Sequence, residues 1–125
     1  MDVKGKNIIV TGGSLGIGKE TAKSLVEKGA NVLITGRSEE RLQNAKLYTK
    51  ADILEFDIAD FDNLTQNAKK CLEILDNRVD VLINNAGIGV RASVEELNID
   101  DFLKVFNVNV FGLSLFTKEI IPSMK

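Results

Sequence analysis

The sequence predicts an α/β fold, a parallel β-sheet with helices on both of its faces. Two observations carry this. Four short apolar runs, "NIIVT" (7–11), "NVLIT" (31–35), "ADILEF" (51–56) and "VDVLIN" (79–84), read as strands covered on both sides. Segments with helical spacing separate them, and such alternation builds parallel β-α-β units rather than hairpins. The chain of 125 residues has no internal repeat, low-complexity tract or dividing linker, so residues 1–125 read as one domain.

Each element has a local reason. After the first strand, Ile17, Thr21 and Leu25, with Ala22 and Val26, recur at four-residue intervals and predict a helix with one inward face. Gly29 ends it, being free to take positive φ. "SEERLQNAKLY" predicts a second helix capped by Ser38, with Glu39 and Glu40 at the positive end of its dipole. From Asp60 onward, Phe61, Leu64, Ala68, Cys71, Leu72 and Leu75 form an amphipathic stripe. "SVEE" (93–96) is a capping box that opens a short helix. A helical region then runs from about Ile99 to Met124. Phe102, Phe106, Val110 and Leu113 lie on one of its faces, and Val105, Val108 and Leu115 lie nearer another.

Composition excludes several functions. With 44% hydrophobic and 27% charged residues, the chain has the make-up of a soluble globular domain. A net charge of −2 with scattered lysines and arginines offers no phosphate-backbone surface, so no nucleic-acid partner is expected. There is no histidine and only one cysteine, Cys71, which leaves no metal-ligand cluster and no internal disulfide. Neither a signal peptide at "MDVKGK" nor a membrane-length apolar run is present. A cytoplasmic protein without membrane contact is the expectation.

Right-handed crossovers would wind the first three strands one way and place the fourth on the far side of the first, in the order 3-2-1-4. That is the order of a Rossmann-type doubly wound sheet, whose ligand crevice opens where the direction reverses. "TGGSLGIG" (11–18) and "NNAG" (84–87) both fall at that crevice. A glycine-rich loop between strand and helix permits a tight turn and close approach by a ligand. The helix start adds unpaired N–H groups and a positive dipole end, which suit a pyrophosphate.

Thr11, Gly12, Gly16 and Gly18 spell T-G-x-x-x-G-x-G, one residue longer than the usual dinucleotide fingerprint. With "NNAG", "FDIAD" (56–60) and "DFLKVFNVNVFG" (101–112), the chain resembles the short-chain dehydrogenase/reductase family, in its short single-domain branch, along its whole length. The resemblance implies that Gly12, Ser14, Leu15, Gly16, Ile17 and Gly18 wrap the cofactor's pyrophosphate and ribose phosphates. It implies that Asp57, through its carboxylate, and Ile58, through its backbone, flank the adenine. Asp57 also reads as a turn or helix-entry residue, and both readings can hold. Asn85, Ala86 and Gly87 would meet the cofactor ribose, while Asn84 braces the sheet. Asn109 would match the asparagine that holds a water in the family's proton relay; a polar residue kinking a long helix is the other reading.

Cofactor choice turns on the end of the second strand, where an acid would bind both ribose hydroxyls and repel a 2′-phosphate. Here Gly36 stands in that place and Arg37 follows, and an arginine fork suits a phosphate dianion. NADP is therefore expected over NAD, although Leu15 stands where many NADP-preferring relatives carry a second basic residue. A merely solvated Arg37 is the alternative.

By resemblance, the family's chemistry needs a tyrosine, a lysine four residues on and a serine. The only tyrosine is Tyr48, and Asp52 follows it at that spacing. The expectation is the cofactor-binding portion of an NADP-dependent oxidoreductase acting on a carbonyl or alcohol, with four of about six strands present and truncated before the catalytic segment. Family relatives imply a homodimer or homotetramer. A non-catalytic nucleotide-binding or dimerisation module is the alternative.

Overall fold

Strands that are apolar on both faces need cover on both, and the chain supplies it. The computed structural model describes residues 2–89 and 93–125. Its strands are β1 (Asn7–Thr11), β2 (Asn31–Gly36), β3 (Asp52–Glu55) and β4 (Val81–Ile83). They form one parallel sheet in the order β3-β2-β1-β4, as the doubly wound reading requires. β1 is central and buried at every position. β2 pairs with β3 in a register that sets Ile34 beside Ile53 and Gly36 beside Glu55.

The described residues form five α-helices, α1 (Gly16–Glu27), α2 (Glu39–Thr49), α3 (Leu64–Ile74), α4 (Ile99–Phe106) and α5 (Leu113–Ile120), of which α1, α2, α3 and α5 contribute buried residues to the cover of the sheet. Alternation along the strands sorts the core into two layers. Ile8, Val10, Val32 and Ile34 pack with Ala22 of α1 and with Leu42 and Ala45 of α2. Ile9 and Leu33 face the other way, onto Ala68 and Cys71 of α3 and onto Phe116 and Ile120 of α5. Phe56 meets Phe116 there with ring centroids 5.6 Å apart. Burial pushes the Cys71 thiol up to about 12, so it sits in this layer as a neutral apolar group.

Most element starts and stops follow local chemistry. Ser38 Oγ accepts the Arg41 N–H at 3.3 Å and caps α2. Gly29 ends the α1 region at φ +89°. Two differences from the sequence reading stand out. Ile17 is 81% exposed, so the inward face of α1 runs through Gly18 and Ala22 and leaves Ile17 outside. The reason is position: Ile17 lies in the first turn, at the solvent-facing end of the helix. The "SVEE" capping box forms as expected and opens a short helix, a 3-10 turn over Val94–Glu96, with the Ser93 N–H donating to Glu96 at 3.4 Å.

The larger difference lies in the last helical region. α4 and α5 are joined by six residues of π-helix, Asn107–Gly112. Both interruptions to α-geometry here have partners. Asn109 bonds across to a neighbouring loop, and Gly112 lies so close to β3's following segment that a Cβ would meet the Ile58 carbonyl oxygen at 2.6 Å. A side chain pulling outward and a backbone pressed inward widen the turn. The buried face of this region is Val108, Gly112, Phe116 and Ile120, with Phe102, Phe106, Val110, Phe111 and Leu115 left between 40% and 48% exposed.

Candidate functional site

The crevice at the reversal of strand order is a cavity of about 660 Å³. This is a usual size for a small-molecule or cofactor site. Five segments build its walls: the glycine loop after β1, the end of β2 with the first turn of α2, the end of β3 with the residues after it, the segment after β4, and Val108 of the π-helical turn.

Thr11 holds two of these together. It is fully buried, its Oγ1 accepts the N–H groups of Asn85 and Ala86, each at 3.1 Å, and it donates to the Ile83 carbonyl at 3.4 Å. Asn85 Nδ2 returns a bond to the Gly12 carbonyl at 3.0 Å. The glycine loop is tied to β2 as well, through the N–H groups of Gly12 and Gly13 on the Thr35 carbonyl. Gly12 needs to be glycine twice over: φ is +66°, and a Cβ would meet the Ala86 Cα at 2.7 Å. Gly16 also takes positive φ, +55°. Beyond it α1 begins with no side-chain cap and no acid in its first turn, so its leading N–H groups and dipole face outward unopposed.

Of the residues singled out by sequence, Gly12, Ser14, Leu15, Gly16, Arg37, Asp57, Ile58, Asn85, Ala86 and Gly87 line the cavity. Ile17 and Gly18 do not. Ile17 is exposed, and Gly18 is packed so tightly that a Cβ would clash with Asn85 and with the Gly12 carbonyl. Asp57 serves as a turn residue too, accepting the Ala59 N–H at 2.9 Å through Oδ1. Asn84 braces the fold by donating to Thr117 Oγ1 at 3.0 Å.

Asn109 does not line the cavity; it holds a wall of it. Its Oδ1 accepts the Ile88 N–H and its Nδ2 donates to the Ile88 carbonyl, both at 2.8 Å. The segment after β4 is thereby clamped to the π-helical turn, and Ile88 lines the cavity. Leaving those two backbone groups unpaired would cost about 1–3 kcal/mol each where they are buried.

Several contributors were not singled out as site residues by sequence. Arg41, Glu55, Phe56, Ile88 and Val108 line the cavity, and Thr11, named there only as part of the fingerprint, organises it. Arg41 had a signal, since it lies one helical turn beyond Arg37. Glu55 had none, because only the strand register brings it beside Gly36.

Tyr48 lies away from the cavity on the α1–α2 surface. Its hydroxyl donates to Glu20 Oε1 at 2.9 Å, and Lys19 and Lys23 approach its ring at 4.9 and 5.0 Å. The Glu20 hydrogen bond, with desolvation, holds the phenol above its ordinary value, the opposite of what a proton donor needs. Among the described residues no cluster fit to hold a metal ion occurs, and no helix is long and apolar enough to cross a membrane.

A strand-order crevice walled by two glycine-containing loops matches a known family of proteins. The family model described as short chain dehydrogenase matches residues 6–125. The chain belongs to that family. It is 35% identical over 128 residues to "Dehydrogenase/reductase SDR family member 7B" of Xenopus laevis, covering 94% of this chain and 39% of that protein. It is 35% identical over 130 residues to "L-rhamnose 1-dehydrogenase (NADP(+))" of Thermoplasma acidophilum, covering 99% of this chain and 51% of that one. Its fold superposes on a doubly substituted form of a Serratia marcescens short-chain dehydrogenase/reductase with a TM-score of 0.87 at 30% identity, covering 100% of this chain and 53% of that one. The chain of this short-chain dehydrogenase family member thus spans about two-fifths to half the length of these relatives.

Proposed function

We propose that the chain is the cofactor-binding portion of an NADP-dependent oxidoreductase that transfers hydride between a nicotinamide cofactor and a carbonyl or alcohol. The observation that carries the NADP reading is the end of β2. There Gly36 offers no carboxylate, and Arg37, Arg41, Ser14 and Ser38 line the cavity around it. Two guanidinium groups and two hydroxyls suit a 2′-phosphate. The relative named as an NADP(+) enzyme agrees with this choice.

The cofactor, when bound, supplies the hydride. This chain's residues do the holding. Gly12, Ser14, Leu15 and Gly16, with the uncapped start of α1 and its Ile17 and Gly18 N–H groups, take the pyrophosphate. Asp57 and Ile58 flank the adenine, and Asn85, Ala86 and Gly87 meet the second ribose. Asn109 serves the proton relay as a positioning residue. Its amide oxygen and one amide hydrogen hold Ile88, which leaves the second amide hydrogen and a second oxygen lone pair to bind a water. The protein is cytoplasmic in this reading.

Titration of NADPH and NADH tests the assignment. Wild-type protein is expected to bind NADPH more tightly, and Arg37→Ala is expected to lose about tenfold or more of that affinity while NADH binding changes little. Equal wild-type affinities, or unchanged NADPH binding in the variant, would sink the NADP reading.

We also infer a homodimer or homotetramer. Phe102, Phe106, Val110, Phe111 and Leu115 form an exposed apolar stretch on the last helices. An apolar helix face of this kind recruits a partner. Light scattering at tens of micromolar is expected to show association, and a stable monomer there would contradict it.

A further inference from the structure

The end of β2 lacks an acid, yet an acid stands beside it. Glu55, the last residue of β3, is the register partner of Gly36. Partners in a parallel pair carry their side chains on the same face of the sheet. The sheet obeys this two residues earlier, where the paired Ile34 and Ile53 both belong to the layer under α1 and α2. A Cβ on Gly36 would face that layer too, 3.4 Å from Leu42 and 3.5 Å from Ser14 Oγ. Glu55 therefore projects toward the same side as an acid at position 36 would, displaced by one strand spacing of about 4.8 Å. It is exposed at the cavity wall with Arg37 and Arg41. The ion pairs among the described residues are Lys23–Glu27 and Arg78–Asp80, so within that set none of these three charges is neutralised by a neighbour.

We propose that Glu55 is a specificity-determining residue, an acid supplied from β3 in place of the one that β2 lacks. It accepts a hydrogen bond from the 2′-hydroxyl of an unphosphorylated cofactor and repels a 2′-phosphate. Arg37 and Arg41 act in the opposite sense from the other wall. Two cations against one carboxylate leave a graded preference for NADP(H), with NAD(H) still accepted. The inference rests on the reading of the cavity as a dinucleotide site, but not on which cofactor wins.

Glu55→Gln keeps the shape and removes the charge. Dissociation constants for NADPH and NADH are measured on purified wild type, Glu55→Gln and Arg37→Ala, with a thermal melt to confirm folding. Glu55→Gln is expected to weaken NADH and tighten NADPH, so that their ratio moves toward NADPH by about tenfold, the worth of a charge-assisted hydrogen bond. A ratio unchanged within about twofold, or an equal change in both constants, overturns the proposal. If Arg37→Ala shifts the ratio while Glu55→Gln does not, Glu55 is no determinant and the cofactor reading survives. If wild type binds neither cofactor, the cofactor reading itself fails and takes this inference with it.

Discussion

The 125 residues alone are expected to reduce no ketone, aldehyde or quinone at the rate of a complete family enzyme. Hydride delivery to a carbonyl leaves an alkoxide, which needs a proton donor within about 3 Å. The single tyrosine, Tyr48, is hydrogen-bonded to Glu20 on the α1–α2 surface and lines no part of the cavity. Its proton is held above the ordinary range, not released. Asn109 carries an amide, bonded to Ile88, and an amide has no readily transferred proton to give an alkoxide. Losing a positioned acid costs about 10²–10⁴ in rate, and no substrate-orienting serine has been placed here either. An NADPH-consumption assay compares the chain with a longer polypeptide that carries it and adds a Tyr-x-x-x-Lys segment. Turnover by the chain at the longer protein's rate would show that its catalytic groups lie within these residues. In that longer protein, Asn109→Leu is expected to weaken NADPH binding by loosening the wall at Ile88 and, at saturating NADPH, to lower turnover as well. Turnover at the wild-type rate would remove Asn109 from the relay.

Gly12→Val is expected to remove nearly all cofactor binding. A β-branched residue is strained at φ +66°, and its Cβ would press into the Ala86 backbone at 2.7 Å. The two loops cannot both stay in place, because Thr11 and Asn85 bind them to each other. The strain amounts to about 1–3 kcal/mol before the clash is counted. The buried strands are untouched, so the far-UV spectrum is expected to persist with a lower Tm. Wild-type affinity in Gly12→Val would mean that the loop takes no part in binding.

Much of this was legible before any coordinates. The apolar strands and the capped α2 announced themselves because their causes are local: burial on both faces, and Ser38 at an N-cap. That the glycine loop and "NNAG" share one crevice was legible because strand order places both there. What escaped depends on contacts between distant residues. The π-helical turn arises from Asn109 reaching Ile88 and from Gly112 lying against Ile58, pairs that no periodicity records. Glu55 enters the site only through its register with Gly36. Ile17 fitted the helical stripe in spacing, but spacing does not tell where a helix overruns the sheet it covers.

Amide hydrogen exchange with and without NADPH tests most directly whether this cavity holds the cofactor. The account predicts slowed exchange at three separate segments together: 14–18 at the start of α1, 36–41 at the end of β2, and 85–88 after β4. In Gly12→Val that protection is expected to vanish. Protection confined to other surfaces, or none at saturating NADPH, would contradict the assignment of the site.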